Sequence, residues 1–459
     1  MGGSMDMSVP ATRALADWLA GLDYDDLPES VRAQARVCLL DYLGCALLGA
    51  TRDQARRLCR LIEQLGGVGQ VTLIGSEIKT TPTYAALFNG VLGSASLLLE
   101  DTAAESFAHP GVNVVPAALA VAEYVDASGA ELLTALVAGY EVAMRVGAAA
   151  GWQTFEKGWH SRGAFNVFGA GAAAGKLLGL SSTEAFCAVL GLAGTQASGL
   201  VEASSPYDGW LLLSGSGAQD GVLAAFLAAD GWTAGCTVIE GSHGYLQAVA
   251  AAPRPERVVI GLGERFEIEA ITRKRHASSS LTHSAIDLVM ELKEQHELTA
   301  ASIESIDVRT IDIHYLLEGH WPERRLEGPH SLPYLLAVAF LDGEVLDPQF
   351  APERREDPLV RYLFDRVTVS ADPELTVKVP AELPAKVTIE LKGGRKVEGY
   401  RPYPKGDPRD PLTEEELVGK FRRLASSRVG DERLDAIQDW TAAAEVQLSV
   451  RDLTRLLAC

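Results

Sequence analysis

Gly163-Ala164-Phe165-Asn166-Val167-Phe168-Gly169-Ala170-Gly171-Ala172-Ala173-Ala174-Gly175-Lys176-Leu177 decides the fold class. Small or apolar side chains fill nearly every position, so a helix over this stretch has no polar face to offer water. It must lie among other helices, at the centre of a large helical domain, where glycine and alanine permit close backbone approach. The texture runs on to Val201, and Ser182-Thr183-Glu184 supplies a stop and a new N-terminal start. On the N-terminal side, residues 29–50 place Val31, Ala35, Cys38, Leu39, Tyr42, Leu43 and Leu47 at helical intervals. Residues 114–126 and 130–149 repeat the pattern, with Asp126 and Ser128 as breakers and caps between them. From about Pro10 to Gly261 the chain reads as helical.

After Gly263 the pattern changes. Ile303 to Ile311 alternates with period two, as a half-buried strand does, and Val367–Val369 and Ala385–Leu391 look similar. Lys392-Gly393-Gly394-Arg395 predicts a hairpin turn into Lys396–Tyr400. Helical segments near 283–296 and 331–342 are interleaved, residues 402–411 form a Pro/Gly/Asp-rich connector, and helix resumes from Thr413. The expected fold class is therefore mainly α. A large all-helical domain is built from both chain ends (5–264 and 403–459), and a smaller α+β lid domain (265–402) is inserted in it.

Of 459 residues, 47% are hydrophobic and 22% charged, which excludes wholesale disorder. A net charge of −20 repels phosphate backbones and anionic lipid, so neither nucleic-acid nor membrane binding is expected. The longest uncharged stretches, 80–99 and 185–201, are interrupted by Pro, Gly, Asn or Gln and read as buried helices rather than membrane spans. The six cysteines make no C-x-x-C pair, and Cys38, Cys45 and Cys187 sit in apolar helical runs as small core residues. A reducing, cytoplasmic location is expected. Met1-Gly2-Gly3-Ser4 reads as an expression remnant ahead of Met5.

Several familiar signatures fail. Gly169-Ala170-Gly171 with Gly175-Lys176 has Ala170 and Leu177 where a phosphate loop needs Gly and Ser or Thr. No H-E-x-x-H or G-x-S-x-G occurs, and the nine histidines lack metal-ligand spacing. No metal and no cofactor is expected.

Four patches can carry chemistry. Glu100-Asp101-Thr102 and His109-Pro110-Gly111 lie between two apolar helices; acids, a hydroxyl and an imidazole at helix ends can move protons or hold a substrate hydroxyl. A plain capping segment with solvated carboxylates is the alternative. Trp159-His160-Ser161-Arg162 precedes the Gly/Ala-rich helix, where backbone N–H groups and Arg162 would suit an anion, unless His160 is simply structural. Arg273-Lys274-Arg275-His276, with His283 following, concentrates cations in an acidic chain, either at a cleft or as an exposed basic turn. Tyr315, after the first strand, offers a phenol that could protonate a leaving oxygen.

Together these patches resemble the family of 2-methylcitrate dehydratase, cis-aconitate decarboxylase and iminodisuccinate epimerase, the MmgE/PrpD family. The resemblance also rests on Pro116–Glu123, Lys176–Leu180, Gly194–Leu200, Ile239-Glu240-Gly241, Lys274 nine residues before His283, Ser331-Leu332-Pro333-Tyr334 and Pro411–Leu417. It implies a helical domain and a lid with the active site between them, and a homodimer acting without cofactor on small polycarboxylates. It places His109, His160, Lys274, Asp101 and Tyr315 in catalytic positions. Thr102, Arg162, Arg273, Trp210 and His283 are the expected substrate-binding residues.

The departures carry information too. The family's usual Lys-x-x-His pair falls on Trp210 and Leu213, an acidic position falls on Leu98, and one more residue than usual separates Thr102 from His109. Losing a cation disfavours a trianion in a desolvated cleft. The expected activity is thus a cofactor-independent lyase dehydrating a β-hydroxy acid less charged and more apolar than citrate, such as a natural-product intermediate. His109 and His160 would divide the base and acid roles, Asp101 would orient one imidazole, Thr102 would hold a substrate oxygen and Lys274 would stabilise enolate-like charge. A cofactor-free decarboxylase or isomerase/epimerase is the alternative, and a non-catalytic binding protein on the same fold is an alternative of another class.

Overall fold

The computed structural model describes residues 9–67, 69–203 and 208–459, without the side chains of Tyr315 and Leu316. They form two compact units. One comprises residues up to Ala95, Glu100–Ile271 and Glu414–Cys459, the other Ser96–Leu99 and Thr272–Thr413.

The first unit is built on α1 (Glu29–Gly49), α2 (Pro82–Ser94), α3 (Gly111–Val125), α4 (Gly129–Ala150), α5 (Asn166–Leu177) and α6 (Gly209–Ala229). A capping box between Ser128 and Glu131 starts α4. Glycine faces glycine where α4 meets α5: a Cβ on Gly169 would lie 2.3 Å from the Gly139 carbonyl oxygen. Arg145, fully buried on α4, donates from Nε to Glu141 at 2.6 Å and from its other nitrogens to the carbonyls of Val258, Ile260, Gly261 and Arg265 at 2.8–3.1 Å. Burial pushes the Glu141 carboxyl up to about 7 against the pull of Arg145. By length and apolar composition α4 and α6 are each sufficient to cross a membrane, although α4 is wholly enclosed by the unit's other elements and α6 largely so.

The tail returns to this unit through the helix Glu414–Ala425, whose Lys420 Nζ lies 2.7 Å from the buried Asp41 carboxylate on α1. Beside it, Gly44 lets the backbone of Phe421 approach α1 closely.

Two local expectations are corrected. The first unit is not purely helical, because β1 (Val71–Thr72) and β2 (Lys79–Thr80) pair as a short antiparallel ribbon. Cys187 is not a lone core thiol: it is bonded to Cys236, Cα to Cα 4.9 Å. Gly191 explains the pairing, since a Cβ there would lie 2.4 Å from the Ala234 Cβ, so the chain carrying Cys236 runs directly along the helix of Cys187.

The second unit holds a four-stranded sheet of β3 (Ile303–Thr310), β4 (Val367–Ala371), β5 (Ala385–Leu391) and β6 (Lys396–Arg401). Its order is β4-β3-β5-β6, with β3 parallel to β4 and the other pairs antiparallel. Alternation is clean on β5, which buries Ala385, Val387, Ile389 and Leu391 beneath α7 (Ser280–Gln295); α8 (Leu332–Asp342) packs on α7. The hairpin glycines Gly393 and Gly394 take φ of 102° and 85°.

The unit's limits differ from the expected 265–402. Phe266, Ile268 and Ile271 belong to the core of the first unit, and the Glu267 amide donates to Glu141 at 2.7 Å, so the boundary falls at Thr272. At the other end the connector is bound within the second unit. Arg273 N–H donates to the Gly406 carbonyl at 3.0 Å and Lys405 N–H to Asp287 at 2.8 Å.

Candidate active site

The loop from Glu100 to Pro110 joins α2 to α3 and closes on itself through an Ala103–Ala108 bridge. The Thr102 hydroxyl donates to the Ala108 carbonyl at 3.1 Å, so its proton is committed to the loop rather than offered to a ligand. Asp101 accepts from the Gly111 amide at 3.0 Å and from Tyr140 Oη on α4 at 2.6 Å. Burial, reinforced by the Asp101 charge, pushes the Tyr140 phenol well up, so it stays a donor. Gly111 is required here, because a Cβ would stand 2.9 Å from both Asp101 oxygens.

His109 Nδ1 faces the Asp101 carbonyl at 3.0 Å and lies 3.9 Å from Glu100 Oε1. The backbone of Asp101, not the expected carboxylate, therefore sets this ring. A carbonyl only accepts, so Nδ1 carries a proton, and in the ring's neutral form the lone pair is at Nε2.

His160 precedes a helix of four residues, Ser161–Ala164, which ends before α5 begins. Its Nδ1 accepts from the Arg162 amide at 3.4 Å. The expected anion site on these backbone N–H groups is thus occupied by the imidazole itself. An amide only donates, so Nδ1 holds the lone pair and the neutral ring carries its proton at Nε2. In their neutral forms the two rings, centroids 6.3 Å apart, are opposite tautomers. Phe155 stands edge-on to His160, and Phe107 edge-on to Phe155, making one wall apolar.

Arg162 is fully buried, bonds Glu100 through Nη2, and stacks on Trp210 with 4.5 Å from guanidinium carbon to ring centroid. Burial pulls its pKa down while Glu100 opposes that. Asn166 donates to the His109 carbonyl at 2.8 Å and to Asn113 at 2.9 Å; Asn113 donates to the carbonyls of Arg162 and Ser214. These two amides tie the His109 loop, the Arg162 turn and α6 together. Gly217 on α6 completes the fit, since a Cβ there would lie 2.4 Å from the Arg162 carbonyl oxygen.

The first unit thus brings together Asp101, Thr102, His109, His160, Arg162 and Trp210. Sequence reasoning named Glu100 within its patch without a role of its own and passed over Asn113, Tyr140 and Asn166; asparagines inside otherwise apolar helices were the available signal, since a buried amide must find partners.

The second unit holds the remaining candidates. Lys274 and His283 are fully buried and Arg273 nearly so, not an exposed basic turn. His276 Nε2 meets Asp287 Oδ1 at 3.0 Å, and the His276 and His283 rings stand edge to face at 5.1 Å. Burial pushes the His283 imidazole well below its usual value, and neighbouring His276 and Lys274 push the same way. Burial would raise Asp287, but His276 and the Lys405 amide outweigh it and bring it down to about 2. Tyr315 falls in the short helix His314–Leu317, and its side chain lies outside the described residues. Among the described residues no group of three His, Cys, Asp or Glu is arranged to hold a metal ion.

The sequence profile of the MmgE/PrpD N-terminal domain matches residues 13–258, and that of the C-terminal domain matches 276–443. The chain belongs to the MmgE/PrpD family. Among its relatives, cis-aconitate decarboxylase-like protein oryM of Aspergillus oryzae is 30% identical over 97% of this chain and 97% of its own. Cis-aconitate decarboxylase of Aspergillus terreus is 28% identical over 98% of this chain and 96% of its own. The Homo sapiens cis-aconitate decarboxylase is 27% identical over 93% and 90%. This MmgE/PrpD chain is accordingly an enzyme of the lyase type acting on a small carboxylic acid.

Proposed function

We propose that this MmgE/PrpD enzyme decarboxylates a small unsaturated polycarboxylic acid. Similarity along almost the whole chain to relatives named cis-aconitate decarboxylases carries the reading. Loss of carbon dioxide breaks one carbon–carbon bond and leaves its electron pair delocalised onto the adjacent double bond. That carbanion needs a proton, a role we assign to the Nε2–H of His160. Phe107, Phe155 and Trp210 favour a substrate with an apolar portion.

A second reading, dehydration of a β-hydroxy acid, is favoured by the opposite tautomers. His109 supplies the lone pair to remove an α-proton and His160 the proton for the departing hydroxyl. Tyr315 as an acid at a leaving oxygen belongs to this second reading alone, and Tyr315→Phe tests it. Incubation with cis-aconitate and with β-hydroxy acids, followed by mass spectrometry, separates the two. Loss of one carbon dioxide is expected; loss of one water replaces the first reading with the second.

Lys274 is assigned to the same turnover, stabilising charge as it develops, with Arg273 and His283 supporting it. Lys274→Met is expected to lower kcat about 100-fold or more, and an unchanged kcat removes the assignment. The reading extends to a homodimer, for which the exposed Leu200, Leu212, Leu223 and Trp232 offer apolar surface. A monomer in sedimentation velocity would overturn that part.

A further inference from the structure

Arg162 is a fully buried guanidinium with only part of its hydrogen-bonding capacity used. Nη2 serves Glu100, whereas Nε and Nη1 have no acceptor among the described residues. Burying charged donors without acceptors is costly, and folded interiors avoid it. Acceptors that come and go with catalysis remove the difficulty. One face of the guanidinium is closed by the Trp210 indole, so an acceptor must come to the nitrogen edges in the plane of the group. The fitting chemistry is a planar anion with two oxygens, a carboxylate.

The location agrees. The Glu100 oxygen bonded by Nη2 is also the one 3.9 Å from His109 Nδ1, and the backbone amide of Arg162 itself holds His160. A carboxylate on Arg162 therefore lies beside both imidazoles.

We propose that Arg162 anchors the carboxylate that the substrate keeps, with Glu100 positioning the guanidinium and Trp210 closing its face. The anchored group is not the one lost, because an ion pair stabilises the anionic ground state more than the transition state in which that charge is leaving as neutral carbon dioxide. The substrate then carries at least two carboxylates, one held and one expelled, joined by a flat unsaturated segment that suits the indole wall. The inference rests on the reading of the first-unit cluster as the site of a carboxylic-acid lyase.

Calorimetric titration of the full chain with glutarate and tricarballylate, saturated acids that cannot react, tests it. Arg162→Gln is expected to bind them about 10- to 100-fold more weakly, while His160→Ala binds as the wild type and loses turnover. The double variant Glu100→Gln/Arg162→Gln removes both charges together; it guards against misfolding from a stranded buried anion and should show the same weakening. Added ethylguanidinium should partly restore turnover to Arg162→Ala, which a merely structural arginine would not show. Wild-type affinity in both Gln variants overturns the anchor and leaves the lyase reading standing. A wild-type enzyme that neither binds these probes nor consumes any acid of the panel overturns both.

Discussion

Gly111 shows how a single hydrogen atom in place of a side chain can hold an active-site cluster. With a Cβ 2.8 Å from Tyr140 Oη and 2.9 Å from both Asp101 oxygens, Gly111→Ala must displace the Asp101 carboxylate. The Asp101 carbonyl that holds His109 Nδ1 belongs to the same residue and moves with it. The expected result is about 1–3 kcal/mol of destabilisation, seen as a lower Tm, with a disproportionate fall in kcat. A folded variant with normal kcat would show that Asp101 does not set the ring. At this scale the sequence was partly legible. His109, His160 and Asp101 stood out because imidazoles and acids at helix ends are few. Their partners did not, since Tyr140 reaches Asp101 across 39 positions of chain and no local spacing encodes that. Glu100 was visible but read together with its neighbours, and only the fold sends it to Arg162 while Asp101 goes to Tyr140.

Among elements, the Gly/Ala-rich α5 was legible because a helix without a polar face has one destination, and Gly169 against Gly139 is the contact that composition demands. Less legible were α7 and the turn before it, where His276, His283 and Asp287 make a buried polar cluster that a linear reading takes for a basic turn and a helix start. The cluster has a consequence for acid stability. Burial holds the His283 pKa far below the ordinary imidazole value of 6.5, so on acidification the unfolded chain takes up a proton that the fold refuses; stability present above pH 6.5 is lost below it. Asp287 has a folded pKa of about 2 against 3.8, and its contribution, about 2 kcal/mol, is lost between those values as pH falls. Both slopes have the same sign. Protection factors for amide exchange in α7 of the full chain, corrected for the intrinsic pH dependence of exchange, should fall from pH 6.5 downward, and His283→Gln should flatten the upper part of that dependence. An unchanged profile in the variant would place the effect elsewhere.

For the molecule as a whole, the return of helical texture after Thr413 was enough to assign the tail to the helical unit, though not to show what fastens it there. Lys420 and Asp41 are buried as a pair at 2.7 Å. Lys420→Met leaves that carboxylate enclosed without its cation and should cost about 3–5 kcal/mol, measured by urea unfolding of the full chain. The variant Asp41→Asn/Lys420→Met should recover much of the loss, and failure to recover would mean that packing, not charge, seats the helix. The disulfide between Cys187 and Cys236 went unread because their separation of 49 residues carries no recognisable spacing.

Interrupting one unit by another along the sequence also imposes an order on biosynthesis. Because Glu414–Cys459 completes the unit begun at the N-terminus, the groove on α1 that takes Phe421 stands open while the entire inserted unit is translated. The inserted sheet can pair its strands as it emerges from the ribosome. The larger unit, begun first, waits for Glu414–Cys459 to be translated, and during that interval its uncovered apolar surface is where a chaperone would be needed.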